Sequence, residues 1–263
     1  MNGRATLLGT GTSTGIPIIG CDCKVCTSSE ERDKRLRCSC LVETENLTVL
    51  IDAGPDLREQ ALTHNIRRID AVVFSHHHFD HVGGIDDLRP FFFDNREPIP
   101  CFADDQTRKL LHSMFSYIFE DGSYPGIPKL KLCDIDGPSI NIASRYGHSE
   151  TLEVIPVPVF HGAIPILGYR IGSFAYITDT NGIPESSLAL LQDLDTLVLD
   201  GLRPFPHQAH FSISEAVDAA TEIGAKQTYL IHMSHHVGHV ETDASLPAGI
   251  NLAYDGLQID FEV

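Results

Sequence analysis

The sequence is poor in basic residues and has no long apolar run. Its 263 residues include 19 lysines and arginines against 36 aspartates and glutamates, a net charge of −17 with neutral histidine. Such a surface repels long nucleic acids, although bound cations can reverse the field inside a single pocket. No stretch approaches the ~18 apolar residues of a membrane span, and the N-terminus lacks the regions of a secretion signal. We therefore expect a cytoplasmic protein without a membrane partner, and the acidic charge disfavours a nucleic-acid partner.

No linker, fixed-period repeat or low-complexity segment divides the chain. Apolar residues make up 42% of it, which is enough for a sizeable core, and we predict one domain over residues 1–263. Strand-like segments and helical patterns alternate in two strand-rich halves, roughly 1–105 and 152–263, whereas 122–142 is predicted to be an irregular loop. This mixture favours a layered α/β fold with sheets inside and helices outside.

Histidines are concentrated in the segment SHHHFDH, which follows an apolar strand. Successive side chains of a strand point to opposite faces, so His76 and His78 can share one face. If a helix begins next, Asp80 and His81 lie in its first turn and can reach the same space. Imidazole and carboxylate groups are ligands for zinc, manganese or iron, so the spacing predicts a metal site rather than a solvated loop. His77 is expected to be an outward-facing spacer.

Three further metal-binding side chains each end an apolar segment. His161 follows VIPVPVF, Asp179 follows FAYIT, and His232 follows TYLI. Polar residues at several strand ends on one side are the usual way in which α/β folds build a site. With the four residues of the histidine segment they make seven ligands, which is enough for two metal ions if an aspartate bridges them.

A second group of metal-binding side chains lies near the N-terminus. The chain has seven cysteines, an odd number, and in a reducing compartment such thiols are metal ligands more often than disulfides. The segment GCDCKVC predicts a zinc-binding loop near residues 20–27, with a fourth ligand still needed. The thiols of this loop are Cys21, Cys23 and Cys26.

The other cysteines and histidines are expected to have structural or surface positions. Cys38 and Cys40 are alternatives for the fourth zinc ligand, but they flank an apolar strand, where a thiol packs as a small hydrophobe. Two more cysteines, Cys101 and Cys133, are predicted to be buried thiols. The histidines predicted to lie at the surface are His64, His112, His148, His236 and His239.

The order HxHxDH, His, Asp, His resembles that of the metallo-β-lactamase superfamily of dinuclear hydrolases. This resemblance implies an αββα sandwich, with two mixed β-sheets flanked by helices. It implies two divalent ions, with one held by His76, His78 and His161, the other by Asp80, His81 and His232, and Asp179 as the bridge. Asp52, in LIDAG, matches the superfamily's buried aspartate, which supports and orients the ligands.

Within the superfamily, the chain is similar to the PhnP group of cyclic-phosphate phosphodiesterases. The matching segments are GTGTSTGIPIIGCDCKVC, LIDAG, SHHHFDHVGG, VFHG, ITDT, AHFS and IHMSHH. This similarity implies that His235 completes a structural zinc site with the three cysteines of the loop. It also implies that the catalytic residues are Asp80 and His210. His207 is the alternative for the acid at His210.

We therefore predict a metal-dependent phosphodiesterase acting on small phosphodiesters, such as ribose 1,2-cyclic phosphate or 2′,3′-cyclic nucleotides. One alternative is a tRNase Z-like nuclease that processes RNA 3′ ends, but Phe79 stands where that motif has glycine and no tRNA-clasping arm is recognisable. A glyoxalase II-type thioester hydrolase is a second alternative, disfavoured by the strand-like LQIDFEV where a helical domain is expected. A non-catalytic metal-binding module is the third, although every ligand position is filled. A homodimer is expected by analogy.

Overall fold

Two β-sheets form the centre of the protein, in a computed structural model that describes residues 2–93, 95–120 and 126–263. The strands are β1 (Asn2–Gly9), β2 (Ser39–Glu43), β3 (Thr48–Ile51), β4 (Ala71–Val73), β5 (Ile99–Phe102), β6 (Leu130–Cys133), β7 (Ile140–Ala143), β8 (Thr151–His161), β9 (Ile164–Ile171), β10 (Phe174–Ile177), β11 (Thr196–Asp200), β12 (Gln227–Ile231), β13 (Ile250–Leu252) and β14 (Gln258–Glu262).

Helices surround these sheets. The α-helices are α1 (Leu57–Thr63), α2 (Phe79–Val82), α3 (Asp105–Met114), α4 (Ser116–Phe119), α5 (Glu185–Leu188), α6 (Ile213–Ile223) and α7 (His239–Asp243). Short 3₁₀ helices cover Glu31–Asp33, Ile85–Phe92 and Ala189–Leu191. Among the residues that the structure describes, no helix combines the length and the apolar character needed to cross a membrane.

Each sheet has seven strands, and each is part antiparallel and part parallel. The first has the order β14-β1-β2-β3-β4-β5-β6, and it is parallel from β3 to β6. The second has the order β13-β12-β11-β10-β9-β8-β7, and it is parallel from β10 to β13. Parallel strands place their carboxyl ends at one edge of the sheet, and the loops at that edge are where α/β folds build their sites.

The two strand-rich halves of the sequence correspond to the two sheets, with two exceptions. The C-terminal strand β14 crosses to the first sheet and pairs antiparallel with β1. The prediction of an irregular loop over 122–142 was wrong where β6 pairs with β5 and β7 pairs with β8. Both are four-residue outermost strands, which are specified by pairing with a neighbour more than by local sequence. The part of this loop at 122–125 lies outside the described residues.

Alternation along the strands divides the apolar side chains between the layers. In β3, Val49 and Ile51 enter the core between the sheets, whereas Leu50 packs under the helices of the first sheet. Leu57 of α1 and Leu111 of α3 belong to that same outer cluster. Because a third cluster buries the outer face of the second sheet against α6, the layers are helix, sheet, sheet and helix, and the predicted αββα sandwich is confirmed.

Helix α6 shows how local sequence fixes an element beside the candidate site. The Ser212 side chain accepts a hydrogen bond from the Glu215 backbone, and the Glu215 carboxylate accepts one from the Ser212 backbone, forming the predicted capping box. Gly224 ends the helix in the left-handed conformation, with φ of 72°. Ala216 and Ala220 face the second sheet. The segment just before Ser212 is thereby held at a fixed point.

Two predictions about single residues were wrong. Cys133 is half-buried rather than buried, because its strand β6 is the last of its sheet. His239, predicted to lie at the surface, is only 2% exposed. It begins α7, where its backbone N–H donates to the Asp33 carboxylate at 2.7 Å. Cys38, Cys40 and Cys101 are buried as expected.

Asp255 joins the C-terminal segment to the loops that follow β1. One carboxylate oxygen accepts from the Thr10 hydroxyl at 2.7 Å, and the other accepts from the Leu36 backbone N–H at 2.6 Å. Desolvation disfavours the anion and raises the pKa of Asp255 to about 7, although these hydrogen bonds act in the opposite direction. The folded protein therefore holds a proton here that the unfolded chain releases near pH 4.

This shift predicts the pH dependence of the Asp255→Asn variant. Because the folded-state pKa is raised, the wild-type carboxyl loses stability as the pH rises from about 4 to about 7, whereas an amide does not titrate. The free energy of unfolding of the variant, relative to wild type, is expected to increase between pH 5 and pH 8. This increase in the free-energy difference cannot exceed about 1.4 kcal/mol per pH unit. Urea unfolding at both pH values measures the difference. Asp260→Asn, an exposed control, is expected to show no such increase, and an equal difference at both pH values for Asp255→Asn contradicts the prediction.

Candidate metal centre and active site

The predicted ligands lie at the carboxyl ends of the strands. Asp52 follows β3, Asp179 lies two residues after β10, and His232 follows β12. All three have left-handed backbones, with φ of 62°, 55° and 59°. Non-glycine residues rarely adopt this conformation, and it is retained where the surrounding structure holds it and the site requires it. The turns direct these side chains into the space next to the HHHFDH segment, where α2 begins at Phe79.

The first cluster consists of three histidines. His76, His78 and His161 bring one ring nitrogen each to within 4.8 Å of the others, and His76 Nε2 is 3.0 Å from His78 Nδ1. His161 Nδ1 lies 2.8 Å from the Ala209 carbonyl oxygen, so it carries the hydrogen and leaves Nε2 as the free donor of an electron pair. Burial lowers the pKa of His76 and of His161, which keeps both imidazoles neutral, as metal ligation requires.

The second cluster contains two carboxylates and two imidazoles. His81 Nε2 lies 3.2 Å from an Asp80 oxygen and 3.2 Å from Asp179 Oδ1. His232 Nε2 lies 3.1 Å from Asp179 Oδ2, and this same oxygen is 4.0 Å from His76 Nε2 in the first cluster. The Asp179 carboxylate therefore lies between the two clusters, where a bridging ligand must be.

The donor atoms of the second cluster fit a divalent cation. His81 Nε2 and His232 Nε2 are buried and make no hydrogen bond among the described residues, despite the nearby carboxylate oxygens. Burial opposes the charged form of His232, but Asp179 and Asp80 outweigh it and raise its pKa to about 10. Two buried carboxylates thus demand a positive charge here. A metal ion supplies it and gives the orphaned nitrogens a partner, and this mixed donor set accepts zinc, manganese or iron.

Asp52 supports the second cluster through its contact with His81. Its carboxylate accepts from the Ser75 backbone N–H and from the Ser75 hydroxyl, both at 2.7 Å, and lies 2.7 Å from His81 Nδ1. This contact places the hydrogen of His81 on Nδ1 and leaves Nε2 to face the cluster. The carboxylate is fully buried, so its position matches the expected role as an orienting residue.

His210 lies beside both clusters. Its ring stacks on His232 with centroids 4.6 Å apart and an interplanar angle of 10°, and its centroid is also 4.6 Å from that of His161. His210 Nδ1 donates to Asp200 at 2.8 Å, which leaves Nε2 for chemistry. His207, the alternative, is exposed, with its ring 5.1 Å from His210. Of the two histidines, His210 is therefore the one buried beside the clusters.

Asp200 is a site residue that sequence reasoning missed. It is fully buried at the end of β11, and burial raises its pKa even though His210 lowers it. Its second oxygen lies 3.7 Å from His232 Nδ1. The signal was present, because LVLD is an apolar strand ending in an aspartate, the same pattern that identified Asp179.

The cysteines of the N-terminal loop form a separate cluster with His235. Their Sγ atoms lie 3.3, 3.6 and 3.9 Å from His235 Nδ1 for Cys21, Cys23 and Cys26 respectively. The backbone N–H of Cys26 donates to Cys23 Sγ and lowers the pKa of that thiol to about 6, which favours the thiolate that binds metal. Three sulfurs and one imidazole are a donor set that suits tetrahedral zinc, and the side chain that joins the three thiols is His235 rather than a further cysteine.

This cysteine cluster is adjacent to the candidate active site along the chain. His235 is three residues after His232, and backbone hydrogen bonds join Thr10 and Thr12 to Met233 between them. The loop that carries the cysteines is therefore tied to the end of β12, the strand that supplies a buried residue of the second cluster.

Sequence and structure comparisons agree with this geometry. A family model described as a beta-lactamase superfamily domain matches residues 48–233. The chain belongs to the metallo-β-lactamase superfamily. The crystal structure of a diphosphatase from the PhnP family is 43% identical and superposes with a TM-score of 0.91, covering 99% of this chain and 98% of that one. Within that superfamily, the chain closely resembles the PhnP family.

More distant structures share the fold alone. Zinc-bound PqqB from Methylobacterium extorquens is 19% identical with a TM-score of 0.78, covering 98% of this chain and all of that one. The short form of human tRNase Z is 17% identical with a TM-score of 0.68, covering 99% and 100%. At these identities, the architecture is common but the substrate is not indicated.

One curated relative is longer than this chain. A Porphyromonas gingivalis protein named octanoyltransferase is 41% identical over 260 residues, which cover 97% of this chain and 51% of that protein. The chain thus spans about half the length of the curated relative that it matches. The activity in that name is given to the whole relative, whose other half has no counterpart here.

Asp179→Asn tests the position of Asp179 between the clusters. The amide keeps the shape and tolerates the left-handed backbone, but it removes the negative charge that both clusters share. We expect metal content to fall by at least one ion per chain and hydrolysis to be abolished, as measured by elemental analysis and turnover. Asp193→Asn is the matched control, because Asp193 is exposed and has a similar φ of 59°. Full metal content in Asp179→Asn is the result that excludes a bridging role.

Cys23→Ser tests the cysteine cluster. One zinc ion per chain is expected to be lost and the melting temperature to fall, because the link that the ion would make between the loop and His235 is removed. The substitution removes none of the ligands of the other clusters. Elemental analysis and thermal unfolding measure the two effects, with Cys133→Ser, a half-buried thiol on β6, as the control. Unchanged zinc content in Cys23→Ser disproves the assignment.

Proposed function

We propose that the protein is a metal-dependent hydrolase of small phosphodiesters, with cyclic phosphodiesters as its first substrate class. The observation that carries this proposal is the Asp179 carboxylate between two buried ligand clusters, with the His210–Asp200 pair at their side. Two adjacent cations next to a proton-transferring imidazole suit the hydrolysis of a phosphate ester, in which negative charge develops on oxygen.

The residues divide into those that hold metal ions and those that move protons. One ion is assigned to His76, His78 and His161, a second to Asp80, His81 and His232, and Asp179 to both. When bound, such ions polarise phosphoryl oxygens and lower the pKa of water. Burial would raise the pKa of Asp80, but His81 and His232 lower it. Asp80 therefore stays anionic, and of its two predicted roles, metal ligand and catalytic residue, we retain that of ligand.

His210 is assigned to the leaving group. Asp200 fixes its tautomer by accepting from Nδ1, as the carboxylate does in other Asp–His pairs. Nε2 is then free to give a proton to the oxygen that departs from phosphorus. This role needs no movement of the backbone, because His210 is held between the capping box of α6 and the ring of His232.

A diphosphatase activity is a second candidate. The protein that is 43% identical to this chain over almost its whole length is described as a diphosphatase of the PhnP family. The two activities are chemically close, because each phosphorus of a disubstituted diphosphate carries two oxygen-linked substituents and one ionised oxygen, like the phosphorus of a diester. A small molecule is the expected partner in both cases, since the charge of −17 opposes RNA.

Elemental analysis paired with a substrate panel tests the proposed function. The panel contains 2′,3′-cyclic AMP, bis(p-nitrophenyl) phosphate, ADP-ribose, a precursor tRNA and a glutathione thioester. We expect metal-dependent turnover of 2′,3′-cyclic AMP and bis(p-nitrophenyl) phosphate, and no turnover of precursor tRNA or the thioester. Turnover of ADP-ribose as well supports the diphosphatase candidate. Cleavage of precursor tRNA alone favours the tRNase Z alternative, and thioester hydrolysis alone favours the glyoxalase II type. Bound metal without turnover leaves a non-catalytic module. Light scattering on the same sample tests the proposed homodimer.

His210→Ala tests the assignment of the acid. Because His210 is not among the ligands assigned to either ion, metal content is expected to stay at the wild-type level while kcat falls roughly 10²–10⁴-fold. Initial rates on 2′,3′-cyclic AMP and elemental analysis measure both properties. His148→Ala, at an exposed position, is the control. If His210→Ala turns over normally, the role of acid passes to His207 or to water.

A further inference from the structure

A second anion-binding feature adjoins the candidate active site. Arg203, Pro206, His207, Gln208 and Ala209 line a cavity of about 550 Å³. None of these five residues is acidic, although acidic residues outnumber basic ones in the chain by 36 to 19. The cavity is therefore a basic region on an acidic protein, and such a region attracts anions.

The cavity shares a wall with the catalytic group. The ring of His207, which lines the cavity, lies 5.1 Å from that of His210. Ala209, another lining residue, accepts a hydrogen bond at its carbonyl from His161 Nδ1 at 2.8 Å. A substrate whose leaving oxygen is at His210 would therefore extend its leaving group towards this cavity.

Arg203 is held in position before any ligand arrives. Its Nε donates to the Phe205 carbonyl at 3.2 Å, and its Nη2 donates to the Pro206 carbonyl at 2.8 Å. The guanidinium carbon lies 4.4 Å from the centre of the Phe205 ring. Among the residues that the structure describes, Nη1 makes no hydrogen bond. Because the side chain is already ordered, little conformational entropy is lost when it binds an anion.

His207 offers a second donor of fixed direction. Its Nδ1 accepts from the Ala209 backbone N–H at 3.2 Å, so the hydrogen of the neutral ring lies on Nε2. Desolvation, with help from His210 and Arg203, lowers the pKa of His207 and favours that neutral form. The exposed ring thus presents one N–H donor in the lining of the cavity that also contains Arg203.

We propose that this cavity binds the second phosphoryl group of a diphosphate diester, with Arg203 and His207 as its positioning donors. The proposal rests on the proposed hydrolysis at phosphorus, and it adds to the cyclic phosphodiesters the substrate class R–O–P–O–P–O–R′ of the second candidate. The two donors line a cavity that would take a phosphoryl group absent from a cyclic monophosphate, so the cavity would add affinity for the diphosphate alone.

The reaction balances without a further reactant. The oxygen of water bonds to the phosphorus that lies beside the two ligand clusters, and the bond from that phosphorus to the bridging oxygen breaks. The bridging oxygen keeps the electron pair and leaves as part of the second phosphate monoester. One proton of the water stays on the new hydroxyl until it ionises, and the other replaces the proton that His210 gives to the bridging oxygen.

Arg203→Gln is the primary test, with ADP-ribose and 2′,3′-cyclic AMP as substrates that share adenosine. The ratio of their kcat/KM values is expected to shift against ADP-ribose by about 10- to 100-fold, the usual effect of losing a charge-assisted hydrogen bond. The loss is expected mainly in KM. Arg4→Gln removes an arginine of β1 that pairs with Asp260 of the neighbouring strand β14. This control variant is expected to keep the wild-type ratio.

His207→Ala and His207→Gln separate the donor from the ring. Glutamine restores a side-chain N–H, so it is expected to retain more of the preference for ADP-ribose than alanine does. Calorimetry with α,β-methylene ADP-ribose, which is not hydrolysed at the bridge, measures binding without turnover. Arg203→Gln is expected to weaken this binding about tenfold or more.

The outcomes distinguish this inference from the function on which it rests. Hydrolysis of neither substrate by the wild-type protein defeats the proposed function. Hydrolysis of 2′,3′-cyclic AMP without ADP-ribose, or an unchanged substrate ratio and analogue affinity in Arg203→Gln, overturns the assignment of the cavity while leaving the phosphodiesterase intact. If the Arg203 and Arg4 variants both melt at a lower temperature and lose kcat/KM equally on both substrates, this result also counts against the assignment of the cavity.

Discussion

Attraction between buried carboxylates and the imidazoles around them governs the organisation of this protein's site. Asp179 is 2% exposed, and burial alone would raise its pKa, yet the neighbouring His232 and His81 lower it. The charged form is kept because several elements of both sheets converge on it. A carboxylate and imidazoles so close together in a low-dielectric interior require either protons or cations between them, and the orphaned nitrogens of His81 and His232 favour cations.

The backbone strain at the strand ends is a consequence of that requirement. Asp52, Asp179 and His232 leave their strands in the left-handed conformation, which turns each side chain sharply into the site at the carboxyl ends of the strands. The cost is of the order of 1–3 kcal/mol for each residue. It is offset by the hydrogen bonds around Asp52 and by the packing of both sheets on their shared core. Strain of this kind is retained where function needs it.

Much of the fold and of the site could be predicted from the sequence, because the informative residues are local to strand ends. The HHHFDH segment, Asp179 and His232 each follow an apolar run, and so they identify both the strand and the ligand. Asp200 obeys the same rule and could have been found by it, although it belongs to none of the matching motifs, and its contact with His210 shows where it acts. The burial of His239 could not be predicted, because it results from the approach of Asp33, some two hundred residues away in the chain.

The shared position of two clusters on one strand end has a consequence for how the protein matures in a cell. His232 and His235 are separated by two residues, so a zinc ion held by the cysteine loop and His235 would also restrain the end of β12 from which His232 projects. Loading of the cysteine cluster would then be a step in assembling the candidate metal centre, although it would contribute no ligand there. Cells short of zinc would accumulate chains whose second cluster is poorly formed even when manganese or iron is plentiful. The availability of one metal would thus limit the use of another.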